Sequence, residues 1–446
     1  MHNVVSSTGD SPIRFLIIHY YKMRKLLATC LLATSMVSLA DDFSDHFMDK
    51  TLRLDYTFCG NNRSQQIFLD ELQVSDGWYG RRVNLDSLLL LGNGQIVVTD
   101  TMHVQTLYTQ SFSTLFQEWQ TTEEASRVSK SFENVFLIPF PLHPVDVTIS
   151  LTDTHNQVQA KFTHRVDPQD ILIRPITASE SLPWKYIQRS GDSREKIDIT
   201  FVAEGYRSDE MTIFEQDCRE SVEALLAHEP FKSMQDRLNF VAVMSPSQES
   251  GVSIPHKGDW NNTLLASNYD TFYSERYLTT LHLKRLHDAL SGVPYEHIVI
   301  LANTDNYGGG GIYNSYLMSA AHNAKSRPVV VHEFGHSFAG LADEYYYDDQ
   351  YEEMYPADTE PWEPNITTLV DFSLKWQDML PKKTPVPTKA DGKDLYTKLG
   401  VYEGGGYQSK GVYRPVQECR MKINEAPVFC PVCERAIRRM IDYNTK

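Results

Sequence analysis

In the stretch Val329–Tyr347, VVVHEFGHSFAGLADEYYY, two histidines stand four residues apart with a glutamate directly after the first. The polar run Lys325-Ser326-Arg327 followed by Pro328, a residue suited to a first helical turn, predicts a helix starting near Pro328. On that helix His332 and His336 lie one turn apart on the same side, so both imidazoles can converge on one ion. Zinc accepts two neutral histidines, and a catalytic site keeps a position for water, whose pKa the ion lowers to about 7. Glu333 is turned around the helix from the imidazoles. It can therefore reach that water rather than the ion, which is the placement of a general base in peptide-bond hydrolysis.

Two histidines leave a third protein ligand to be found. On a continued helix Asp343 would lie roughly 10 Å along the axis from His336, too far to share an ion. Gly340 can take a positive φ, end the helix and turn the chain back. Asp343 is the first suitable donor after that turn, Glu344 is the next, and a glutamate farther on, such as Glu352 or Glu353, is a third choice.

The elements that position these residues begin near residue 175. KIDITFVAEGY, LNFVAVMS and HIVILAN read as buried strands, separated by helical stretches through EMTIFEQDCRESVEALLAHEP and YLTTLHLKRLHDAL. This pattern is a mixed α/β domain, 173–446, with a mostly parallel sheet and the site expected at the carboxyl ends of its strands. GGGGIYNSYLMSAAH, residues 308–322, reads as an edge strand able to pair with an extended peptide, its glycines permitting close approach. SPSQESGVSIP, residues 245–255, reads as a polar loop of the kind that lines a cleft, with no chemistry assigned to it, and the acidic, aromatic run after Glu344 reads as a loop with a solvated face.

Ahead of that domain, residues 41–172 show short apolar stretches broken by turn signals: LRLDYTF, SLLLLGNGQIVVTD with Asn93-Gly94 at a hairpin turn, VFLIPF, and a run in which Val145, Val147, Ile149 and Leu151 alternate with polar residues. An all-β sandwich is the predicted architecture. It contains no cluster of metal ligands or catalytic pairs, so it reads as a packing or substrate-positioning module.

The chain has 446 residues, more than one core usually supports. Residues 1–40 contain MRKLLATCLLATSMVSLA, a basic start, an apolar run too short for a spanning helix and a small-residue end at Ala40. The pattern is that of a signal peptide cleaved near Ala40, which predicts a secreted, periplasmic or cell-surface protein without membrane insertion of the mature chain. The formal net charge is −16, and removing this leader takes away Arg14, Lys22, Arg24 and Lys25 against Asp10. The more acidic remainder repels phosphate backbones and anionic lipid, which excludes nucleic acid as an expected partner. Cys419 with Cys430 or Cys433 could bridge locally; without a second CxxC, the CPVC stretch reads as a disulfide or buried thiols rather than a zinc ribbon or redox pair.

HEFGHSFAGLADEY, with CRMKINEAPVFCPVC near the end and ITFVAEGYRSDEMTIFEQDC at the start of the α/β domain, resembles the IgA-peptidase family of bacterial zinc metallopeptidases. The resemblance covers most of the chain after the leader, with several separated motifs in order. It implies a secreted endopeptidase with a metzincin-like catalytic domain, a protein or peptide substrate, His332, His336 and Asp343 as zinc ligands, Glu333 as the catalytic residue and Met421 as a Met-turn methionine. The metzincin pattern has glycine three residues after the second histidine and a third histidine three later. Here Ala339 takes the glycine position, Gly340 follows it, and Asp343 falls one place after the expected histidine. Two other functions fit the same residues: an exported binding protein whose metal site is structural or inactive, and a zinc amidase acting on a cell-wall or glycan substrate.

Overall fold

Alternation of buried and exposed side chains builds the first part of the molecule. A computed structural model describes residues 43–101, 105–176, 181–347 and 354–446; the leader, Glu352 and Glu353 lie outside them. Phe43–Asp45, the described end of a unit spanning Met1–Asp45, open a helical turn Phe43–His46. Eight strands follow: β1 (Phe47–Asn61), β2 (Ser64–Asp76), β3 (Gly94–Asp100), β4 (Thr106–Phe112), β5 (Lys130–Pro141), β6 (Val145–Thr152), β7 (Val158–Val166) and β8 (Arg174–Pro175). They form two four-stranded sheets, ordered β5-β1-β2-β8 and β4-β3-β6-β7. In β6 the alternation seen in the sequence is realised, with Val145, Val147, Ile149 and Leu151 all buried. Their apolar face meets the other sheet, where Phe112 of β4 packs against Phe136 of β5 with ring centroids 4.3 Å apart and Phe58 of β1 lies 6.4 Å from Phe112. A short helix, α1 (Leu115–Trp119), is capped by the Thr114 hydroxyl, which accepts from the Gln117 N–H.

Two local expectations fail here. Asn93-Gly94 joins no hairpin: residues 84–93 form no strand, and β3 starts only at Gly94. The leucines before it are used elsewhere, Leu89 and Leu90 packing against the core of the α/β part. Likewise the helix expected from Tyr277 begins at Leu283 (α3, Leu283–Ala289), because Thr279 instead bridges Asn268 in an extended segment.

In the α/β part, a six-stranded sheet runs in the order β13-β14-β12-β10-β11-β9. Its members are β9 (Trp184–Gln188), β10 (Ile197–Glu204), β11 (Leu238–Val243), β12 (His297–Ala302), β13 (Gly309–Ile312) and β14 (Tyr316–Ala320). The four central strands are parallel, and β9 and β13 flank them antiparallel. Every residue of β10, β11 and β12 is buried, as expected of parallel strands covered on both faces. Helix α2 (Met211–Leu226), helix α4 (Ser326–Ala339) and helix α5 (Pro431–Thr445) share one core with the sheet through Phe214, Val222, Phe334, Phe338 and Ile437. A three-stranded sheet, β15 (Tyr346–Tyr347), β17 (Tyr407–Arg414) and β16 (Tyr402–Gly405), follows α4.

The two parts meet at the β13–β14 hairpin. The Ser113 N–H donates to the Tyr313 carbonyl (3.0 Å), the Asn314 amide side chain to the Ser111 carbonyl (2.9 Å), and the Asn314 N–H to Ser337 in the last turn of α4 (2.8 Å). The hairpin is thus held from both sides, by β4 and by the helix that carries the histidines.

Candidate metal centre

Helix α4 spans Ser326–Ala339, two residues earlier than the sequence suggests at its start, and ends where Gly340 takes φ 58°. The Gly340 N–H donates to the His336 carbonyl (3.0 Å) and the Leu341 N–H to the Gly335 carbonyl (3.2 Å), closing the last turn. The reversed chain then delivers Asp343 to the histidines. Asp343 Oδ1 lies 3.0 Å from His332 Nε2 and 3.3 Å from His336 Nε2, and the two Nε2 atoms are 3.1 Å apart. A four-coordinate ion with bonds of about 2.05 Å separates its ligand atoms by roughly 3.3 Å, so this triangle has the size of one face of such a site.

Hydrogen bonds fix what these three atoms can offer. His332 Nδ1 donates to the Arg420 carbonyl (2.9 Å) and His336 Nδ1 to the Leu341 carbonyl (2.5 Å). With Nδ1 as the donor, each neutral imidazole turns its Nε2 lone pair inward, as metal-bound histidines do. Among the described residues the buried Asp343 Oδ1 faces only the two imidazole Nε2 atoms, while Oδ2 accepts from the Tyr407 hydroxyl. Three lone pairs facing one another are stable only around a proton or a cation. Burial opposes charging of the imidazoles, yet the Asp343 carboxylate outweighs it, raising His332 and lifting His336 to about 9. Burial would raise Asp343 as well, but the two imidazoles hold it far below the usual carboxylate range.

Asp343 is locked from several directions. The Gly406 N–H donates to its carbonyl (2.8 Å), and the Asn365 side chain clamps the preceding residue, accepting from the Ala342 N–H (2.8 Å) and donating to the Ala342 carbonyl (2.9 Å). Met421 is fully buried beneath the helix; a Cβ built on Gly335 would fall 2.6 Å from its Sδ. Glu344 does not reach the histidines. It points to the opposite side, where Cys433 Sγ lies 3.3 Å from its Oε1.

Glu333 lies between helix α4 and strand β13, within contact range of Gly309, and burial raises its pKa above the ordinary glutamate value. A Cβ on Gly311 would stand 2.4 Å from the Glu333 carbonyl oxygen and 3.0 Å from His336 Cβ. The glycines of the edge strand thus admit the helix itself. The site accordingly runs along the antiparallel edge of the sheet, not at the carboxyl ends of the parallel strands, because α4 packs against β13 at the level of its glutamate and second histidine.

Two cavities of ≈ 610 Å³ each open on either side of the triad and share Glu118, Gly311, His336, Asp343 and Tyr407 as walls. One continues past Tyr277, Tyr307 and Asn424, the other past Asn156, Tyr355 and Trp362. Glu118, on α1 of the β-rich part, accepts from the Tyr277 hydroxyl (2.5 Å). Desolvation by the surrounding protein raises its pKa above the ordinary glutamate value. The sequence gives no sign of Glu118, Tyr277 or Tyr407 as site residues, since each lies in a different element from the histidines and none belongs to a recognisable spacing.

Residues 186–398 and 391–441 match the family model described as IgA Peptidase M64, and residues 42–163 match the one described as Peptidase M64 N-terminus. No curated protein matches the chain.

Proposed function

The chain belongs to the IgA peptidase M64 family, and from that premise we propose that it is an exported, zinc-dependent endopeptidase acting on extracellular proteins. The observation that carries this reading is the convergence of His332 Nε2, His336 Nε2 and Asp343 Oδ1 on one point beside Glu333. That donor set, two imidazoles and a carboxylate, suits zinc, and its edges suit four-coordination with one position left for solvent. When bound there, zinc supplies acidification of water and polarisation of a carbonyl.

The chain's own groups do the rest. Glu333, with its pKa raised by burial, accepts the proton of the attacking water and delivers it to the departing amine. Among the described residues strand β13 pairs with β14 alone, leaving its other backbone edge, beside Glu333, for an extended peptide to lie along and be held by main-chain hydrogen bonds. Glu118 reaches into the cleft from the β-rich part and accepts from the Tyr277 hydroxyl of the α/β part, which favours a substrate-positioning role for the β-rich part. Met421 under Gly335 and the antiparallel strand beside the histidine helix favour the metzincin-like reading, with Asp343 in place of a third histidine. The short basic and apolar leader supports export. Among the described residues no helix is long and apolar enough to cross a membrane.

Replacing Glu333 by alanine is expected to reduce proteolysis by about 10²–10⁴-fold, the usual contribution of a general base, while metal analysis still finds zinc on the protein. Unchanged cleavage by Glu333→Ala would refute the assigned role. Incubation with casein, immunoglobulin and peptidoglycan fragments in parallel separates a peptidase from an amidase on cell-wall material.

A further inference from the structure

A second cluster of ligand-bearing side chains lies behind the histidine helix. Cys419, Cys430, Cys433 and Glu344 are all fully buried, and one donor atom from each lies within 4.8 Å of every other. The cysteines are free thiols, so no bridge accounts for their gathering. Cys419 Sγ is 3.8 Å from Cys433 Sγ, and Glu344 Oε1 is 3.3 Å from Cys433 Sγ. A tetrahedral zinc with Zn–S bonds of about 2.3 Å sets its sulfurs roughly 3.8 Å apart, whereas a disulfide requires about 2.05 Å.

The carboxylate is the informative member. Glu344 Oε1 accepts from Asn365 Nδ2 (3.0 Å), but the buried Oε2 has no hydrogen-bond partner among the described residues. A carboxylate buried without a paired cation is costly, and a single disulfide among three cysteines would leave both it and one thiol unexplained. Backbone donors already surround the sulfurs: the Cys430 N–H points to Cys419 Sγ (3.2 Å) and the Cys433 N–H to Cys430 Sγ (3.5 Å). Cys430 is also the N-cap of α5, where the helix dipole favours thiolate.

We propose that Cys419, Cys430, Cys433 and Glu344 bind a second zinc ion in a closed, structural site. All four coordination positions are filled by protein, so this ion has no place for substrate or water. Its effect is mechanical. Cys419 adjoins Arg420, whose carbonyl orients His332, and Glu344 adjoins Asp343; the Glu344 N–H donates to the Met421 carbonyl (2.8 Å) between them. One ion therefore ties the turn below the histidines, the third-ligand segment and the start of α5 into a single brace.

The test is a metal count on the full-length protein. The wild type is expected to carry two zinc ions per chain, and His332→Ala/His336→Ala to carry one. The zinc-edge absorption of that double variant should show three sulfur neighbours at about 2.3 Å and one oxygen. Cys430→Ser, with the histidines intact, should lower the count from two to one and weaken the remaining ion by about 10–100-fold, the usual effect of losing an outer support. Should the variants not fold, the wild type alone decides: two ions and a sulfur shell support the site. One ion with only nitrogen and oxygen neighbours, or a mass two daltons low with a bridge mapped between any pair of these cysteines, overturns it. Zinc held with sulfur neighbours but no proteolysis would leave this brace standing and count against the proposed peptidase activity instead.

Discussion

The Nδ1 atoms of His332 and His336 decide what the opposite nitrogens can do. Because each donates to a backbone carbonyl, the proton that a neutral imidazole must carry is placed away from the triad. The acidic balance of the site then acts on the remaining lone pairs: with Asp343 adjacent, His336 holds an extra proton up to about pH 9. An ion must displace that proton, so metal affinity should rise with pH and level off near 9. Below that point the loss is about tenfold per pH unit for one competing proton. Competition against a zinc-binding dye between pH 6 and 9 reads this slope; a flat profile would mean that His336 is already neutral across the range. At this scale the sequence was informative for the placement of His332, Glu333 and His336 on one helix, since a four-residue spacing on a helix is local. The choice among Asp343, Glu344 and a later glutamate was not local. It depended on how far the chain turns after Gly340, and the turn sends Asp343 to one side of the backbone and Glu344 to the other.

Helix α4 and strand β13 work as one element, because the helix lies close enough to touch the strand's backbone. The glycine at 311 is required by contact, not by its dihedral angles: a methyl group there meets the Glu333 carbonyl at 2.4 Å. Gly311→Ala should cost about 1–3 kcal/mol of stability through overpacking and should displace Glu333, lowering turnover more than expression. Chemical denaturation alongside a peptide-cleavage assay measures both; an alanine variant with wild-type stability and turnover would show that the helix and strand can separate freely. The sequence signalled a glycine-rich edge strand but assigned its close approach to a substrate alone. Strand periodicity was readable in β6 and in the buried β10, β11 and β12, where pattern and burial coincide. It misled at Leu88–Leu91, since an apolar run satisfies a strand and a tertiary contact equally, and here Leu89 and Leu90 pack on the other part of the molecule. The threonines before α3 misled in the opposite sense, taking an extended pairing with Asn268 in place of a helical turn.

Across the whole molecule the cleft is built by segments that are remote in sequence. Glu118 comes from the β-rich part, Tyr277 from the segment before α3, and the histidines from α4, so no single stretch could have revealed the walls. The three cysteines show the same limit. CPVC and Cys419 are close enough in sequence to suggest a bridge, but the carboxylate that completes the cluster lies on the strand-free segment after α4 and is brought there only by the fold.

Besides the Asn365 clamp, the groups that hold Asp343 and His332, namely the Tyr407 hydroxyl, the Gly406 amide, the Arg420 carbonyl and Met421, all lie between residues 406 and 421. A polypeptide still emerging from the ribosome has its histidine helix long before it has the parts that hold Asp343 in place. Peptide cleavage should therefore require the segment that carries Gly406, Tyr407, Arg420 and Met421, and not the histidine helix alone. Chains stalled after Gly400 should cleave no quenched peptide, and a signal from them would show that the histidines and Asp343 assemble unaided.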